Sequence, residues 1–241
     1  MKWKIHHCEQ TLSTNIDARG GFPGDVFTAD FQTGGRGRLD HKWQSPKGEN
    51  LMMSAVLDAK GLSPEQIATF PLAAGLAVLR GLSPYLRGIS PALIKWPNDI
   101  IVCERKIAGI LCERCNEMVI AGIGVNVNQR DFPEEIKNRA TSLALLGSAA
   151  GVGMVRESIL AALAAVYGQW REGGFAAIHP EIAACDYLQG RMLAVSQTDE
   201  DSEPICGICG GIQRDGSLLV GGRNVYAGEA HILSLSGIGF S

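Results

Sequence analysis

The sequence predicts an α+β protein: a β-sheet flanked by helices through residue 188, then a small β unit over 189–241. Three observations lead there. Strand-like runs fill Val26 to Asn128 around a single helical stretch. Gly153 to Trp170 is a strongly amphipathic helix, with Val155, Ile159, Leu163, Val166 and Trp170 on one stripe. From Gly190 onward the chain becomes short apolar runs cut by glycines, the texture of a small β-barrel.

The elements follow in order. Lys2 to Cys8 reads as an opening strand. Ser13-Thr14-Asn15 precedes a short helix that ends at Gly20-Gly21. These three residues suit an N-cap, the preferred reading, and also suit a set of small polar groups beside a pocket. Val26 to Gln32 alternates as a strand, and Leu51 to Leu57 is nearly all apolar, as for a strand buried on both faces.

Between those strands lies QTGGRGRLDHKWQSPKGEN, Gln32 to Asn50, with no hydrophobic period. Long loops in compact domains are usually functional or disordered. Gly34, Gly35 and Gly37 let backbone amides approach a ligand, and Arg36 and Arg38 offer donor forks for phosphate or carboxylate. Trp43 offers a ring for stacking. The plainer alternative is a solvated basic loop.

Ser63-Pro64-Glu65 opens a helix to about Leu82, with a kink expected at Pro71. In IKWPNDIIV, Ile94 to Trp96 is strand, Pro97-Asn98-Asp99 a turn, and Ile100 to Val102 strand again. A Trp and an Asn-Asp pair beside Lys95 would also serve a nucleotide and a metal. Lys106 to Glu113 is a strand, whose period of two puts Lys106, Ala108 and Ile110 on one face. Lys106 is then a solvated strand end or a cation aimed into a cleft; the residues alone favour the solvated end.

Glu117 to Asn128 is the clearest strand. Val119, Ala121, Ile123, Val125 and Val127 form a core face, while Gly122, Gly124, Asn126 and Asn128 form a face that leaves a groove. Asp131 to Arg139 reads as a short polar helix opened by Pro133, Thr141 to Leu146 as a connector, and Phe175 to Tyr187 as a second helix. The tail offers runs at Met192–Ser196, Ile205–Ile212, Ser217–Val220, Asn224–Tyr226 and Ala230–Leu235, with an exposed acidic loop over Asp199 to Glu203.

Composition narrows the class. The 241 residues carry a net charge of −3, which supplies no basic field for nucleic acid. The longest apolar windows, Leu72 to Leu79 and Ile159 to Tyr167, are shorter than a bilayer span, and the N-terminus has no secretory pattern; a cytoplasmic protein is expected. Seven cysteines there imply reduced thiols. Cys112 with Cys115 and Cys206 with Cys209 have the spacing of a four-thiolate zinc site, but Cys112 reads better as core and the second pair as strand.

Taken together these motifs resemble the biotin protein ligase family, also called biotin–[acetyl-CoA-carboxylase] ligase. Ser13-Thr14-Asn15, the GRGR loop from Gln32 to Trp43, Lys95 to Asp99, Lys106 to Leu111 and Gly122 to Asn128 occur in family order. The resemblance implies a mixed sheet of the class II synthetase-like, biotin–lipoate ligase type and an SH3-like C-terminal β domain. It also implies the short form, which opens directly on the catalytic domain without a DNA-binding domain. One departure stands out: Leu39-Asp40-His41-Lys42 replaces the second Gly-Arg pair of many relatives.

The function implied is ATP-dependent activation of biotin as biotinyl-5′-AMP, then transfer to a lysine of a biotin carboxyl carrier domain. A lipoate or octanoate ligase of the same core is the alternative, and a non-catalytic biotin- or adenylate-binding protein the next. By the resemblance Lys106, Arg36 and Arg38 are catalytic. Ser13, Thr14, Asn15, Gln32, Gly35, Arg36, Lys106, Gly122 and Gly124 hold biotin, the two glycines as the floor under its ring. Arg36, Arg38, Trp43, Trp96, Asn98, Asp99 and Asn126 bound the nucleotide, with Asp99 or Asn126 near Mg²⁺. The expected assembly is a monomer or a homodimer, with neither nucleic acid nor membrane as partner.

Overall fold

The computed structural model describes residues 1–38, 42–196 and 203–233. Its main sheet is built from β1 (Lys4–Thr11), β2 (Asp25–Gln32), β3 (Leu51–Asp58), β4 (Leu93–Lys95), β5 (Asp99–Val102), β6 (Arg105–Cys115) and β7 (Met118–Val125). The spatial order is β1-β2-β3-β7-β6-β5-β4. β1 runs parallel to β2 and the remaining pairs are antiparallel, so the sheet is mixed. β3 and β7 pair from Leu51↔Val125 to Asp58↔Met118. The apolar face expected of β7 is in the core: Val119, Ala121, Ile123 and Val125 are all buried.

Helices α3 (Phe70–Leu82) and α4 (Val152–Gly173) pack on one another beside this sheet. Gly81 permits the close crossing, because a Cβ there would stand 2.5 Å from Ile159 Cγ1 and 2.7 Å from its Cα. The helix expected from Ser63 to Leu82 is two helices. α2 (Pro64–Ala68) opens with a capping box of Ser63 and Gln66, and the chain breaks at Thr69. Pro71 falls in the first turn of α3, where its missing N–H costs nothing. Thr69 Oγ1 donates to Gln66 O (2.7 Å) and accepts from Trp170 Nε1 (2.9 Å), which pins the break. By length and apolarity Pro64–Tyr85 does reach a membrane-crossing threshold, contrary to the reading of short windows; 61% of that window is buried within the fold.

Two other expectations fail for local reasons. Residues 131–139 form separate turns, such as Ile136 N–H to Pro133 O, because an exposed polar segment has no face to bury. Phe175 to Tyr187 splits into a 3₁₀ turn at Phe175–Ala177 and α5 (His179–Ala184), with Pro180 opening the latter. The helix after Ser13 is short, α1 (Thr14–Ala18).

The C-terminal runs became strands much as expected: β8 (Met192–Ser196), β9 (Ile205–Ile212), β10 (Leu218–Val220), β11 (Arg223–Val225) and β12 (Glu229–Ile232). They form an antiparallel sheet in the order β11-β10-β9-β8-β12, consistent with an SH3-like unit. Most of the acidic stretch and residues 234–235 lie outside the described residues. Leu193, Val195, Ile212, Leu218 and Val220 join the same buried cluster as the main sheet.

A polar clamp reinforces that junction. Glu104, in the left-handed turn between β5 and β6, accepts from both terminal nitrogens of Arg191 (2.9 and 3.1 Å) and from Tyr187 Oη (2.7 Å). Arg191 also lies 4.1 Å from the Tyr187 ring centre. The bonds from Arg191, then Tyr187, hold the Glu104 carboxyl below its ordinary value of 4.5. A depressed carboxylate stabilises the fold above its unfolded pKa and loses that contribution as pH falls through the folded one. Glu104 is exposed, so the effect is modest. Glu104→Gln is expected to lower Tm by about 1–2 °C at pH 7 and by less at pH 3.5, read by thermal melts.

The cysteines are free thiols. Burial raises the Cys112 thiol far above its ordinary value and pushes Cys209 up to about 11, so both stay protonated at neutral pH, unlike metal-bound thiolates. Among the described residues no group of three or more His, Cys, Asp or Glu gathers.

Candidate active site

The Gly-rich face of β7 is where the expected site residues meet. Gly122 and Gly124 lie on it, with Leu111 and Gly109 of β6 directly opposite. Side chains from this chain fill the room those glycines leave, which corrects the expectation of a bare floor. A Cβ at Gly122 would stand 2.1 Å from Asn15 Oδ1, and one at Gly124 2.6 Å from the Trp43 ring. Asn15 and Trp43 therefore form the layer over the floor. The glycines seat them.

Around Asn15 is a polar corner. Ser13 occupies the N-cap position in extended backbone, but its side chain makes no cap bond. Gln32 does that work from the end of β2: its Oε1 accepts the Thr14 N–H (2.7 Å) and contacts Thr14 Oγ1 (3.0 Å). Ser54, wholly buried in β3, contacts Thr14 Oγ1 (2.7 Å) and Asn15 Oδ1 (2.6 Å). Asn15 Nδ2 donates to Glu113 Oε2 (2.8 Å) and Leu111 O (3.3 Å), and Arg19 holds the other Glu113 oxygen (3.1 Å). Sequence reasoning missed Ser54 and Glu113. A serine inside the apolar run LMMSAVL was the available signal.

Two residues along β7, about 7 Å away, is a cationic corner. Lys106 sits at a β-bulge: Ile101 faces Lys106 while Ile100 faces Ala108. The extra residue breaks the alternation read from the sequence and turns Lys106 over Gly109, where a Cβ would come within 3.1 Å of its Nζ. The ammonium pairs with Asp99 Oδ1 at 2.6 Å and lies 5.9 Å from the Trp43 ring centre. Lys106 is thus aimed across the site, and the solvated strand end favoured by the residues alone is wrong. Its backbone is fixed on both sides, N–H to Arg139 O (2.8 Å) and C=O from Thr141 N–H (2.9 Å).

The basic loop closes on itself here. Trp43 N–H donates to Gly35 O (3.0 Å), and Arg36 bridges Lys42. Asp40 and His41 lie outside the described residues. Arg36 is exposed, whereas Arg38 is half-buried and donates to Gly228 O (3.1 Å) in the turn before β12. Burial lowers the Arg38 pKa, with Asp99 and Glu229 pulling it back up. Trp43 Nε1 is buried without a hydrogen-bond partner among the described residues.

The other residues expected at the nucleotide face inward as they stand. The turn comprises Trp96 to Asn98, and Asp99 already belongs to β5. Trp96 is 2% exposed, and its indole N–H donates to Gly216 O in the turn between β9 and β10 (3.1 Å). Asn98 Nδ2 donates to Ile110 O (2.8 Å) and Asn126 Nδ2 to Thr141 O (2.9 Å). These side chains brace the site from behind. Trp96→Phe keeps an aromatic ring but removes both the N–H and the five-membered half of the buried indole, leaving a small cavity. It is expected to destabilise the protein by about 2–3 kcal/mol, measured by denaturant unfolding.

Comparison with known proteins decides the family. Residues 9–129 match the biotin/lipoate A/B protein ligase family. The chain is 34% identical to the biotin–[acetyl-CoA-carboxylase] ligase of Mycobacterium tuberculosis, over 94% of this chain and 87% of that one. The protein belongs to the biotin protein ligase family. The Paracoccus denitrificans biotin–[acetyl-CoA-carboxylase] ligase is 30% identical, over 88% of this chain and 92% of its own. The solved biotin protein ligase of Aquifex aeolicus, in complex with biotin and ATP, superimposes with a TM-score of 0.83 at 30% identity, covering 95% and 98% of the two chains. The mixed sheet flanked by helices expected from the family motifs is thus the family's fold, and the C-terminal antiparallel sheet is consistent with the expected SH3-like unit.

Proposed function

We propose that this chain is an ATP-dependent biotin ligase that forms biotinyl-5′-AMP and passes biotin to a lysine of a carboxylase carrier domain. The family relatives support the biotinylation, and the bulge that aims Lys106 across the Gly-rich face carries the residue-level reading. The polar corner takes the ring of biotin. The cationic corner takes the meeting point of its carboxylate and the α-phosphate.

In the first step a biotin carboxylate oxygen attacks the α-phosphorus of ATP, and the bond to the bridging oxygen breaks as pyrophosphate leaves. The two reactants are anions. Lys106 Nζ, turning from Asp99 to their oxygens, lowers that repulsion, and Arg38 adds a second positive charge beside it. In the second step the carrier lysine's amine attacks the acyl carbon, AMP leaves, and the amine's proton is lost to solvent. No nucleophile of this chain is consumed. The acceptor is expected to be the carrier domain of a biotin-dependent carboxylase.

Mg²⁺ usually binds through one or two carboxylates together with substrate phosphates. Asp99 fits as that single carboxylate once Lys106 has moved to the oxyanions; the ion would neutralise phosphate charge. We also propose a division at 188/189 into catalytic and C-terminal units. It is supported by the two separate sheets; the Trp96–Gly216 and Arg38–Gly228 bonds tie the units together across it.

The test is incubation with biotin, ATP and a purified carrier domain, read by mass spectrometry. One biotinyl addition per carrier, absent when its acceptor lysine is replaced by arginine, is expected; an unmodified carrier contradicts the assignment. In this reading the exposed Arg36 closes over the adenylate. Arg36→Ala is therefore expected to release biotinyl-AMP, so that lysines of a bystander protein such as serum albumin become labelled. Retention of the intermediate by that variant would count against the loop as a cover.

A further inference from the structure

Resting on the biotin ligase reading, we infer that Lys95 is the cation that receives the leaving group: it holds the β- and γ-phosphates of ATP in the forward adenylation and free pyrophosphate in its reverse.

Strand register places Lys95. Two neighbouring rows cross β4, β5, β6 and β7. The first, Ile94–Ile100–Ala108–Val125, is apolar and buried, and belongs to the core. The second, Lys95–Asp99–Gly109–Gly124, alternates with it and so lies on the other face, the one that carries Trp43 and the Lys106 ammonium. Lys95 is therefore on the site's own face, at the end of the row, about 10 Å or two strand spacings beyond Gly109.

Its charge is uncommitted. Asp99 is its direct cross-strand neighbour, and opposite charges in that position ordinarily pair. Asp99 instead turns to Lys106, 2.6 Å away, and also supports the charge of Arg38. Lys95 is half-buried, and its ammonium makes no ion pair or hydrogen bond among the described residues. Asp99 thus stands among three cations, and even with Glu229 near Arg38 the cations exceed the carboxylates there. That surplus suits a ligand with several negative charges rather than a lone carboxylate.

The reaction puts such a ligand there. In the proposed first step the biotin carboxylate and the α-phosphorus meet at Lys106, over Gly109, and biotin reaches that point from the Gly122 side. Attacking and leaving oxygens lie roughly in line across the phosphorus, so the leaving oxygen is on the side away from the ring of biotin, toward β5 and β4. As the bond from the α-phosphorus to the bridging oxygen breaks, its electron pair stays on that oxygen and the charge of pyrophosphate grows. Lys95 meets that charge with an ammonium it keeps throughout, and no proton is transferred.

The experiment supplies synthetic biotinyl-AMP to wild type, Lys95→Met, Lys95→Gln and Lys95→Arg. In one arm pyrophosphate is added at saturating Mg²⁺, and ATP formation gives the KM for pyrophosphate. In the other a carrier domain is added without pyrophosphate, and its biotinylation gives the transfer rate. Both neutral variants are expected to raise the KM for pyrophosphate by about 10- to 100-fold, the scale of one charge-assisted hydrogen bond, and to keep the wild-type transfer rate. Lys95→Arg keeps the charge and should recover most of the loss. The KM for biotin in ATP–pyrophosphate exchange should not move in any variant. An unchanged KM for pyrophosphate in either neutral variant overturns the inference. So does a parallel fall in both arms, the mark of a merely structural lysine. A wild type that uses biotinyl-AMP in neither arm would instead overturn the activity on which the inference rests, and the inference with it.

Discussion

Lys106→Ala is expected to slow biotin adenylation by ~10²–10³, the scale for removing one preorganised charge stabiliser. Two effects act in the same direction. The substitution removes the cation at the point where carboxylate and phosphate must approach. It also leaves Asp99, 2.6 Å from the lost ammonium, as an unneutralised negative charge on the site's wall. Fold stability should change little, because the pair is part-exposed and such pairs contribute about 0–1 kcal/mol. The measurement is the exchange rate at saturating biotin and ATP, with a thermal melt on the same sample. A wild-type rate with an unchanged melt would remove Lys106 from the mechanism.

Gly122→Ala is expected to raise KM for biotin by roughly 30- to 100-fold while leaving KM for ATP near its starting value. The new Cβ would stand 2.1 Å from Asn15 Oδ1 and 2.9 Å from its Cγ. Asn15 cannot simply step aside, since Ser54, Glu113 and Leu111 hold both ends of its amide. That range corresponds to about 2–3 kcal/mol, the scale of losing one buried hydrogen bond. Because both residues occupy one space, the double variant Gly122→Ala/Asn15→Ala should bind biotin no worse than Asn15→Ala alone. Additive losses would mean that Gly122 acts on the ligand by another route.

Part of this fold and site was legible in the sequence. Strand content was, because period-two alternation and buried apolar runs are local: β7 and the five C-terminal strands fall close to where the pattern puts them. The Gly face of β7 was legible as a place with room, but not which atoms use it. Asn15 and Trp43 come from segments distant in sequence, and no local rule brings them there. Lys106 was misjudged for a related reason. Its direction depends on one bulge, set by pairing with β5, and a single inserted residue reverses the face. The Gln32 cap on α1 and the Gly216 and Gly228 carbonyls on Trp96 and Arg38 are long-range bonds to backbone or to an unremarkable side chain. Residue type carries no mark of them.

The central claim is that the Gly-rich face, with Lys106 at one end and the Thr14–Asn15–Gln32 corner at the other, activates biotin in particular. Pyrophosphate exchange into ATP, run on the purified chain with biotin, lipoate and octanoate in parallel, tests it most directly. Exchange with biotin alone is the predicted result. Exchange supported by lipoate or octanoate, or biotin binding without any exchange, would contradict it.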